Sequence, residues 1–481
     1  MRMSKLFVHT LREAPSDAAS PGYQFLLRAG LLRPLCLGGY GFTPLGAGAR
    51  RKIIAVVRQA MGGVAGQEVD LPGVQPADLI PGDVDLEKMA GPLAGPAVRF
   101  RDRGQHPVVL NASQEAAVLT MARGVVQSYR DLPVLINQWG NVVRWEMRTR
   151  LFLRTLEFYW QEGHTAHATP QEAEEETLRM LNIYTDFARN EAAVPVIPGR
   201  KSESEKFAGA VHSYTIEAMM GDKKALQAGT SHNLGQNFAK AFDIDYMDEK
   251  NTLQHCWTTS WGLSTRFIGA IIMTHGDDQG LILPPRLAPT QVIIVPIFRK
   301  DEEKEKVMAV VERIKKELHE FRVKVDGRTE VTPGFKFNEW ELRGVPLRLE
   351  IGPKDVAKNS VALARRDIPG REGKSFVPQA GIAETVAEML EAIQANMLEK
   401  ATQFRDDHIF EPKDYAEFKE IINNDGWCYV WWKSSVENEA AIKEETKATL
   451  RCIPLDQSGG KGKCIFSGEE TDQKVYFAKA Y

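Results

Sequence analysis

The sequence has 481 residues, and its 61 basic side chains are nearly balanced by 64 acidic ones. A chain of this length should form about two to four domains, while its balanced charge excludes a general polycation, so any nucleic-acid contact must use a local patch. No apolar run approaches the roughly 18 residues that cross a bilayer, and the five scattered cysteines predict reduced thiols in the cytosol.

Residues 1–284 alternate short strands with helices and contain nearly all the candidate chemistry. The apolar pattern of Gly46–Met61 predicts a helix, and Glu68–Pro72 predicts a strand that ends at its proline. Thr169–Glu172 has the pattern of a capping box with proline at the first helical position. We interpret this part of the chain as one domain.

The stretch Leu110–Glu115 predicts a short loop that leads into a helix. Glu115 and Ser113 offer a carboxylate and a hydroxyl that could accept hydrogen bonds from a ligand's ammonium group. A serine followed by a glutamate also begins many ordinary helices, so this pattern is weak by itself.

The most informative segment is an apolar pair of predicted strands that carries charge. Alternation places Arg144 and Glu146 on one face of the first strand, and Arg154, Phe158 and Trp160 on one face of the second. Unpaired buried ions cost several kcal/mol, roughly, so a polyanionic ligand is expected there. The alternative is that the two charges pair across a sheet surface and the aromatic residues are ordinary core.

Two further segments carry candidate pocket residues. Phe207 lies in Lys206–Ala210, and His232 ends Gly229–His232. Taken alone, Phe207 would be interpreted as a core residue and His232 as a loop histidine with satisfied hydrogen bonds.

Trp261–Asp278 predicts an apolar helix with Arg266 near its start and Ser264 just before it. An arginine there calls for an anion, which helix N-termini also favour, although it could instead extend to solvent from a core helix. Positions 144 and 266 are 122 residues apart, so Arg144 and Arg266 would have to converge on one ligand.

The remaining residues predict two smaller domains. In 285–397, a buried strand at Val292–Val295, a helix, and strands at Phe321–Asp326 and Leu347–Ile351 indicate an α/β domain. Residues 398–481 begin with a charged helix and end in an aromatic segment.

Taken together, these segments resemble the class II prolyl-tRNA synthetases. Arg144-Trp145-Glu146 and the run Glu157–His167 resemble motif 2, Trp261–Asp278 resembles motif 3, and the helix and strand that end at Pro72 resemble motif 1. The resemblance implies an α+β catalytic domain with an antiparallel sheet at 1–284, an α/β anticodon-binding domain at 285–397, and a small α/β C-terminal domain at 398–481.

The resemblance also implies an activity and a set of site residues. The chain would use ATP and Mg²⁺ to activate L-proline and would transfer the prolyl group to the 3′ end of tRNA(Pro), as a cytoplasmic homodimer, with Arg144 and Arg266 as catalytic residues. The ATP-binding residues would be Arg144, Glu146, Arg154, Ser264 and Arg266, and the proline-binding residues would be Ser113, Glu115, Arg144, Phe158, Trp160, Phe207 and His232. The family has threonine where this chain has Ser113, so a methyl group is lost.

In the second domain, the resemblance implies that Glu341, Arg348 and Lys354 read the guanines of a proline anticodon. A carboxylate can accept from guanine N1–H and N2–H₂, while Arg or Lys can donate to O6 and N7. The alternative for Arg348 and Glu350 is a solvated charged face on an alternating strand.

Relatives of the archaeal and eukaryotic-like type often bind a structural zinc ion in the C-terminal domain through four cysteines. The corresponding positions here are Lys433, Asn438, Cys464 and Ser467, which leaves one thiol where tetrahedral zinc needs four ligands. We therefore expect no zinc.

The 122-residue interval between Arg144 and Arg266 is too short for the large editing insertion of bacterial-type members. A catalytically silent paralogue, or a class II ligase for another small amino acid, remains an alternative. The first would need damaged motif arginines, and the aromatic and histidine pocket residues disfavour the second.

Overall fold

The computed structural model of the chain describes residues 10–11, 13, 21–36, 39–62, 66–77, 99–146, 149–150 and 152–481. The predicted first domain therefore includes stretches that lie outside the described residues, among them 1–9 and 78–98. In the described part of the chain, no helix combines the length and the apolar character needed to span a membrane.

The first part of the chain is built around a long, mostly antiparallel sheet. The strands of this part of the chain are β1 (Leu32–Cys36), β2 (Gly39–Phe42), β3 (Gln67–Glu68), β4 (Val74–Pro76), β5 (Arg99–Arg101), β6 (Pro107–Leu110), β7 (Val134–Val143), β8 (Glu157–His167), β9 (Val196–Arg200), β10 (His212–Met219), β11 (Ala225–Gly235), β12 (Asp245–Met247), β13 (Leu253–His255) and β14 (Trp257–Ser264). The pairs β1-β2 and β12-β13 and the triplet β4-β6-β5 form small separate sheets. The helices of this part are α1 (Pro21–Arg28), α2 (Pro44–Ala60), α3 (Glu115–Val125), α4 (Pro170–Asp186), α5 (Asn237–Ala241) and α6 (Arg266–His275).

The strand order in the centre of this sheet is β9-β10-β11-β14-β8-β7, and all of these neighbours are antiparallel. Helices α1, α2, α4 and α6 contribute to the main hydrophobic core beside the sheet. Trp261 is 1% exposed and lies opposite Gly163 on the neighbouring strand, where a Cβ atom would approach the indole ring to 2.1 Å. Glycine at position 163 is therefore required by the packing of Trp261.

Several predicted elements agree with the structure. The capping box at Thr169 is confirmed, because its side chain accepts from the amide of Glu172 and the Glu172 carboxylate accepts from the amide of Thr169. The helix predicted over Gly46–Met61 forms as α2. The strand predicted over Glu68–Pro72 is only β3, because the chain leaves the sheet edge after Val69 and Pro72 has no amide hydrogen to donate.

The strand boundaries in the charged segment are also different from the prediction. β7 ends at Val143, where the amide of Arg144 bonds to the carbonyl of Leu156, so Arg144 and Glu146 lie beyond the strand. Arg154 precedes β8 and its amide bonds to Arg150, 2.7 Å away, in a tight turn. Strand alternation therefore does not orient these three charged side chains.

The helix predicted over Trp261–Asp278 was wrong at its start. Residues up to Ser264 belong to β14, which is paired on both sides, and α6 begins at Arg266. The apolar content of a strand buried on both faces does not distinguish it from a buried helix. The consequence is that Arg266 lies at the junction of strand and helix.

The second part of the chain forms a five-stranded sheet in the order β16-β15-β17-β18-β19. Its elements are β15 (Val292–Pro296), α7 (Asp301–Glu317), β16 (Val323–Val325), α8 (Pro333–Leu342), β17 (Leu347–Ile351), α9 (Pro353–Lys358), β18 (Ser360–Arg365), β19 (Lys374–Pro378) and α10 (Ile382–Asp406). Strand β15 is parallel to both neighbours and fully buried, as its continuous apolar sequence predicted. The boundary predicted after residue 397 lies inside α10.

The last part of the chain extends the central sheet. Its elements are β20 (Ile409–Phe410), α11 (Tyr415–Asn423), β21 (Trp427–Trp431), α12 (Val436–Thr446), β22 (Ala448–Pro454), β23 (Gly462–Lys463), β24 (Glu470–Thr471) and β25 (Lys474–Lys479). β22 pairs with β9 through Ile453 and Arg200, which joins both groups of strands into one eleven-stranded sheet. The C-terminal strands are therefore continuous with the sheet of the first part.

Aromatic packing fills the core of this last part. The Phe418 side chain is fully buried, and its ring centroid lies 5.6 Å from that of Phe477 and 5.5 Å from that of Tyr415. Replacement by alanine removes this contact area and leaves a cavity that the rigid surroundings fill only partly.

We expect Phe418→Ala to lower the free energy of unfolding of this part by about 3–5 kcal/mol. Chemical denaturation followed by near-ultraviolet circular dichroism measures this change. Val436→Ala is the matched control, because Val436 is 51% exposed and its truncation should change stability by less than about 0.5 kcal/mol. Equal stability of both variants would show that the Phe418 cluster does not support the fold.

Candidate functional site

One cavity of about 470 Å³ opens on the central sheet and collects side chains from distant parts of the sequence. The predicted site residues that line it are Ser113, Glu115, Arg144, Glu146, Arg154, Trp160, Phe207, His232 and Arg266. Phe158 and Ser264 are not part of its lining. The cavity has the size and the mixed polar and apolar walls of a small-molecule site.

Three guanidinium groups meet at this cavity, and each is held by backbone oxygens. Arg144 Nε donates to the carbonyl of Ala112 at 3.1 Å, and Arg266 Nε donates to the carbonyl of Leu153 at 3.0 Å. Arg154 Nη2 donates to the backbone oxygen of Tyr481, the last residue of the sequence, at 2.8 Å. Within the described ranges, neither Arg144 nor Arg266 is in ion-pair contact with a carboxylate, although the carboxylates of Glu146 and Glu162 act on Arg144 through space.

The electrostatics of these groups indicate a site for an anion. Burial, followed by the nearby guanidinium groups of Arg144 and Arg154, lowers the pKa of Arg266 to about 10. Burial also lowers the pKa of Arg144, while the carboxylates of Glu162 and Glu146 partly oppose that effect. The charged form of Arg266 is thus destabilised by neighbouring cations as well as by burial, and a polyanion bound beside it would relieve both the repulsion and the desolvation.

Two aromatic rings support Arg144. Its guanidinium carbon lies 5.2 Å from the ring centroid of Phe158 and 5.1 Å from that of Trp160, and the two rings meet edge to face. Cation–π contacts of this kind stabilise a partly desolvated arginine by about 1–2 kcal/mol. Trp160 also lines the cavity, whereas Phe158 contacts the arginine from outside it.

Ser264 acts on the backbone that carries Arg266. Its hydroxyl accepts from the amide of Arg266 at 3.2 Å, just where β14 ends and α6 begins. The side chain therefore fixes the turn from which the arginine extends, and it does not line the cavity.

A buried cluster of three titratable side chains, Glu115, Glu162 and His164, lies next to Ser113. His164 is 3.3 Å from Glu115 through Nδ1 and 3.1 Å from Glu162 through Nε2, and all three side chains are at most 4% exposed. Glu162 also accepts from the hydroxyl of Ser113 at 2.7 Å and from the amide of Gln114 at 3.0 Å. Burial lowers the pKa of His164, but the two carboxylates outweigh it and raise the pKa to about 10.

Glu162 and His164 are residues that the sequence reasoning did not assign to the site. Their signal was present, because alternation along β8 places Trp160, Glu162 and His164 on one face. Glu115, Glu162 and His164 also have ligand atoms within 4.8 Å of one another, as a metal site would. A protonated His164 already supplies the positive charge that the two carboxylates require.

Phe207 and His232 also line the cavity, and they contact each other. Their ring centroids are 4.9 Å apart, and Ser213 Oγ links them because it accepts from the Phe207 amide at 2.9 Å and lies 2.8 Å from His232 Nδ1. Burial, and then the charge of Lys201, lowers the pKa of His232 to about 3. This histidine is therefore neutral near pH 7.

The three predicted anticodon residues lie on the second part of the chain. Arg348 forms a 2.5 Å ion pair with Glu341 and a 3.1 Å one with Glu350, and its guanidinium lies 4.1 Å from the ring of Phe337. Lys354 is exposed at the start of α9. The solvated-face alternative is wrong for Glu350, which is 5% exposed, because β17 is an inner strand with neighbours on both sides.

Comparison with known protein families gives three matches. Residues 98–275 match the tRNA synthetase class II core domain (G, H, P, S and T), residues 291–388 match an anticodon binding domain, and residues 415–481 match the prolyl-tRNA synthetase C-terminal domain.

Similar proteins share one name. The chain is 58% identical over 377 residues to the proline–tRNA ligase of Roseiflexus sp. (strain RS-1), with 78% of each protein covered. It is 53% identical over 382 residues to the chloroplastic/mitochondrial proline–tRNA ligase of Arabidopsis thaliana, with 78% of this chain and 70% of that protein covered.

Solved structures agree with the sequence relatives. Prolyl-tRNA synthetase from Cryptosporidium parvum complexed with L-proline and AMP aligns with a TM-score of 0.88 at 35% identity, covering 96% of this chain and 97% of that one. The same enzyme complexed with halofuginone and AMPPNP aligns with a TM-score of 0.90 at 34% identity, covering 98% of both chains.

The pKa values of the two site histidines predict opposite protonation states at neutral pH. Because the folded pKa of His164, about 10, exceeds the unfolded value of about 6.5, its protonated form stabilises the fold below pH 6.5 and this stabilisation is lost as the pH rises towards 10. We expect the free energy of unfolding to fall more between about pH 7 and 10 in the wild type than in His164→Gln.

Nitrogen-15 NMR of labelled histidine checks the same prediction directly. At about pH 8, both ring nitrogens of His164 should be protonated, whereas His232 should keep one protonated nitrogen down to about pH 5. His232→Gln and His164→Gln spectra assign the signals. A neutral His164 at pH 7 would contradict the proposed charge balance with Glu115 and Glu162.

Proposed function

Because the chain belongs to the class II prolyl-tRNA synthetases, we propose that it uses ATP to activate L-proline as prolyl-adenylate and transfers the prolyl group to the 3′ end of tRNA(Pro). The single observation that carries this proposal is the meeting of Arg144, Arg154 and Arg266 at one cavity, where Arg144 and Arg266 have no carboxylate in ion-pair contact among the described residues. A nucleoside triphosphate supplies the compensating negative charge.

In the first step, an oxygen of the proline carboxylate attacks the α-phosphorus of ATP, a phosphorus–oxygen bond forms, and the bond to pyrophosphate breaks. In the second, a ribose hydroxyl of the tRNA attacks the prolyl carbonyl, and AMP leaves. No side chain needs to act as a nucleophile. Positioning and charge stabilisation then account for the rate, with Mg²⁺ entering together with ATP.

We assign the ATP side of the cavity to the arginines. Arg144 and Arg266 are the catalytic residues that stabilise charge on the reacting phosphates, and Arg154 and Glu146 bind the nucleotide. Ser264 contributes by fixing the backbone of Arg266.

We assign the proline side of the cavity to a second set of residues. Glu115 accepts from the imino nitrogen of proline, and Ser113 contributes a lone pair, since its proton is donated to Glu162. Trp160, Phe207 and His232 enclose the proline ring. Arg144 binds the proline carboxylate, and Phe158 packs against the guanidinium of Arg144.

We also propose that Glu341, Arg348 and Lys354 read the anticodon. The ion pair between Glu341 and Arg348 holds a carboxylate and a guanidinium side by side, which suits the donor and acceptor edges of guanine. The proposed domains are 1–284 for catalysis, 285–397 for anticodon binding and 398–481 at the C-terminus, and the three matched stretches fall inside these ranges.

The finer classification is a proposal of the same kind. We infer the archaeal and eukaryotic-like type without an editing insertion from the short interval between Arg144 and Arg266, a homodimer from the motif 1 segment, and a cytoplasmic location from the five free cysteines.

ATP–pyrophosphate exchange with a panel of amino acids tests the function. We expect exchange with proline above all others; no exchange would favour a silent paralogue, and a preference for another amino acid would favour a different ligase.

Arg144→Ala should lower proline-dependent exchange by about 10²–10³-fold with the fold intact, because a preorganised charge at the reacting phosphate is lost.

Arg313→Ala is the matched control for this variant. Arg313 is a half-exposed arginine on α7 that pairs with Glu317 and does not line the cavity. Its loss should leave pyrophosphate exchange unchanged. Near-normal exchange by Arg144→Ala would remove this arginine from the proposed role.

A structural zinc ion does not fit the four C-terminal positions. Lys433 is exposed. The backbone N–H of Asn438 donates to the side-chain hydroxyl of Ser435, which caps the start of α12. Cys464 is the single thiol of the set. We therefore propose that packing, and not metal, stabilises this part.

Metal analysis of the purified protein should find well below one equivalent of zinc, and a chelator should leave the thermal midpoint unchanged. About one equivalent of zinc per chain, lost together with stability on chelation, would overturn the proposal. Measuring magnesium in the same sample is a useful internal reference.

A further inference from the structure

Residues 201–207, here called the clamped segment, connect β9 to the proline side of the cavity. Several of them line the cavity, including Lys201, Ser204 and Phe207. The segment has no regular secondary structure, so the order of Phe207 depends on side-chain contacts. Phe207 itself is held by its amide bond to Ser213 and by ring contact with His232, whereas the residues before it are contacted largely by the C-terminal part of the chain.

The first contact is a buried charged network that joins β10, β22 and the start of the clamped segment. Glu217 on β10 is fully buried and accepts from Lys201 Nζ at 2.8 Å and from Arg451 Nη2 at 2.8 Å and Nε at 3.1 Å. The hydroxyl of Thr215 donates a fourth hydrogen bond, at 2.9 Å, and is the third partner of this carboxylate. One carboxylate thus holds two cations from segments 250 residues apart.

This network connects the cavity to β22. Lys201 Nζ also donates to the backbone oxygen of Arg451 at 2.8 Å, so both the side chain and the main chain of Arg451 fix the start of the clamped segment. Lys201 and Arg451 both line the cavity. Removing the side chain of Arg451 would break two of the four hydrogen bonds to Glu217 and leave this carboxylate paired with Lys201 alone.

The second contact comes from α12. Glu439 Oε2 accepts from Ser202 Oγ at 2.8 Å and also from the hydroxyl of Ser204, and Glu439 is 8% exposed. Further along, Lys443 lies 4.0 Å from Glu205. The C-terminal part therefore contacts the clamped segment at nearly every residue up to Glu205.

We propose that Arg451 and Glu439 are positioning residues for the reaction: the C-terminal part of the chain forms the rear wall of the proline pocket by holding residues 201–207, and through them Phe207, in place. The inference rests on the proposed function, because it assumes that proline binds beside Phe207. It adds a structural role for the C-terminal part that does not require this part to contact the substrate.

The test compares Arg451→Met with Arg366→Met. Arg366 is equally buried, at 3% exposed, and makes two bonds to Asp277 at 2.9 and 2.5 Å, but it does not line the cavity. We expect Arg451→Met to raise the KM for proline by roughly 10- to 100-fold, because a small displacement of a positioning group has effects of that size. Arg366→Met should leave it within about twofold, and Arg451→Lys should recover part of the loss.

Hydrogen exchange provides a readout that does not need activity. Amides of residues 201–207 should exchange faster in Arg451→Met than in the wild type and in Arg366→Met. If the wild type lacked proline-dependent exchange of pyrophosphate, the proposed function would fail, while faster amide exchange would still support the clamp. If pyrophosphate exchange is normal but both variants give the same KM and the same amide exchange, the clamp alone is overturned.

Glu439→Ala keeps the test decisive if Arg451→Met does not fold. It removes the contacts to Ser202 and Ser204 and leaves Glu217 paired with both cations. The proposal requires a higher KM for proline and faster exchange of the clamped segment in this variant also. An unchanged KM in folded Glu439→Ala would contradict it.

Discussion

The structure depends on one electrostatic constraint: three arginines face a single cavity, and among the described residues Arg144 and Arg266 are hydrogen-bonded to backbone oxygens with no carboxylate in ion-pair contact. Elsewhere, the chain pairs its buried arginines with carboxylates, as at Arg451 and Arg366. The charges of Arg144 and Arg266 are compensated only partly, by the more distant carboxylates of Glu146, Glu162 and Glu217, until an anion binds. Their desolvation is tolerated because the surrounding sheet and helices are rigid and well packed.

The central sheet explains how residues that are far apart in sequence reach this cavity. β8 and β14 are adjacent antiparallel strands, and the arginines extend from the turns at their ends and from the loop that follows β7. The pairing of β22 with β9 then continues the sheet into the C-terminal part. Because one sheet contains both, a change in the C-terminal part can reach the cavity through hydrogen bonds and packed side chains without a separate moving element.

Sequence reasoning identified elements whose signals are local, such as the cap at Thr169 and the strand β17, and it identified the family from its motifs. It misplaced Arg144 and Arg154 on strands, because the ends of β7 and β8 are set by bonds between residues that are adjacent only in the fold. It did not find the bond between Arg451 and Glu217, 234 residues apart, because neither residue belongs to a periodic pattern. The ends of strands and the partners of long-range ion pairs therefore depend on contacts that form only in the folded chain.

The most direct test of the central claim is a crystal structure of this chain with L-proline and a non-hydrolysable ATP analogue. The account predicts that the guanidinium groups of Arg144 and Arg266 both lie within about 3 Å of phosphate oxygens, with the proline ring between Trp160 and Phe207. A nucleotide bound elsewhere, or either arginine turned away from the phosphates, would contradict it.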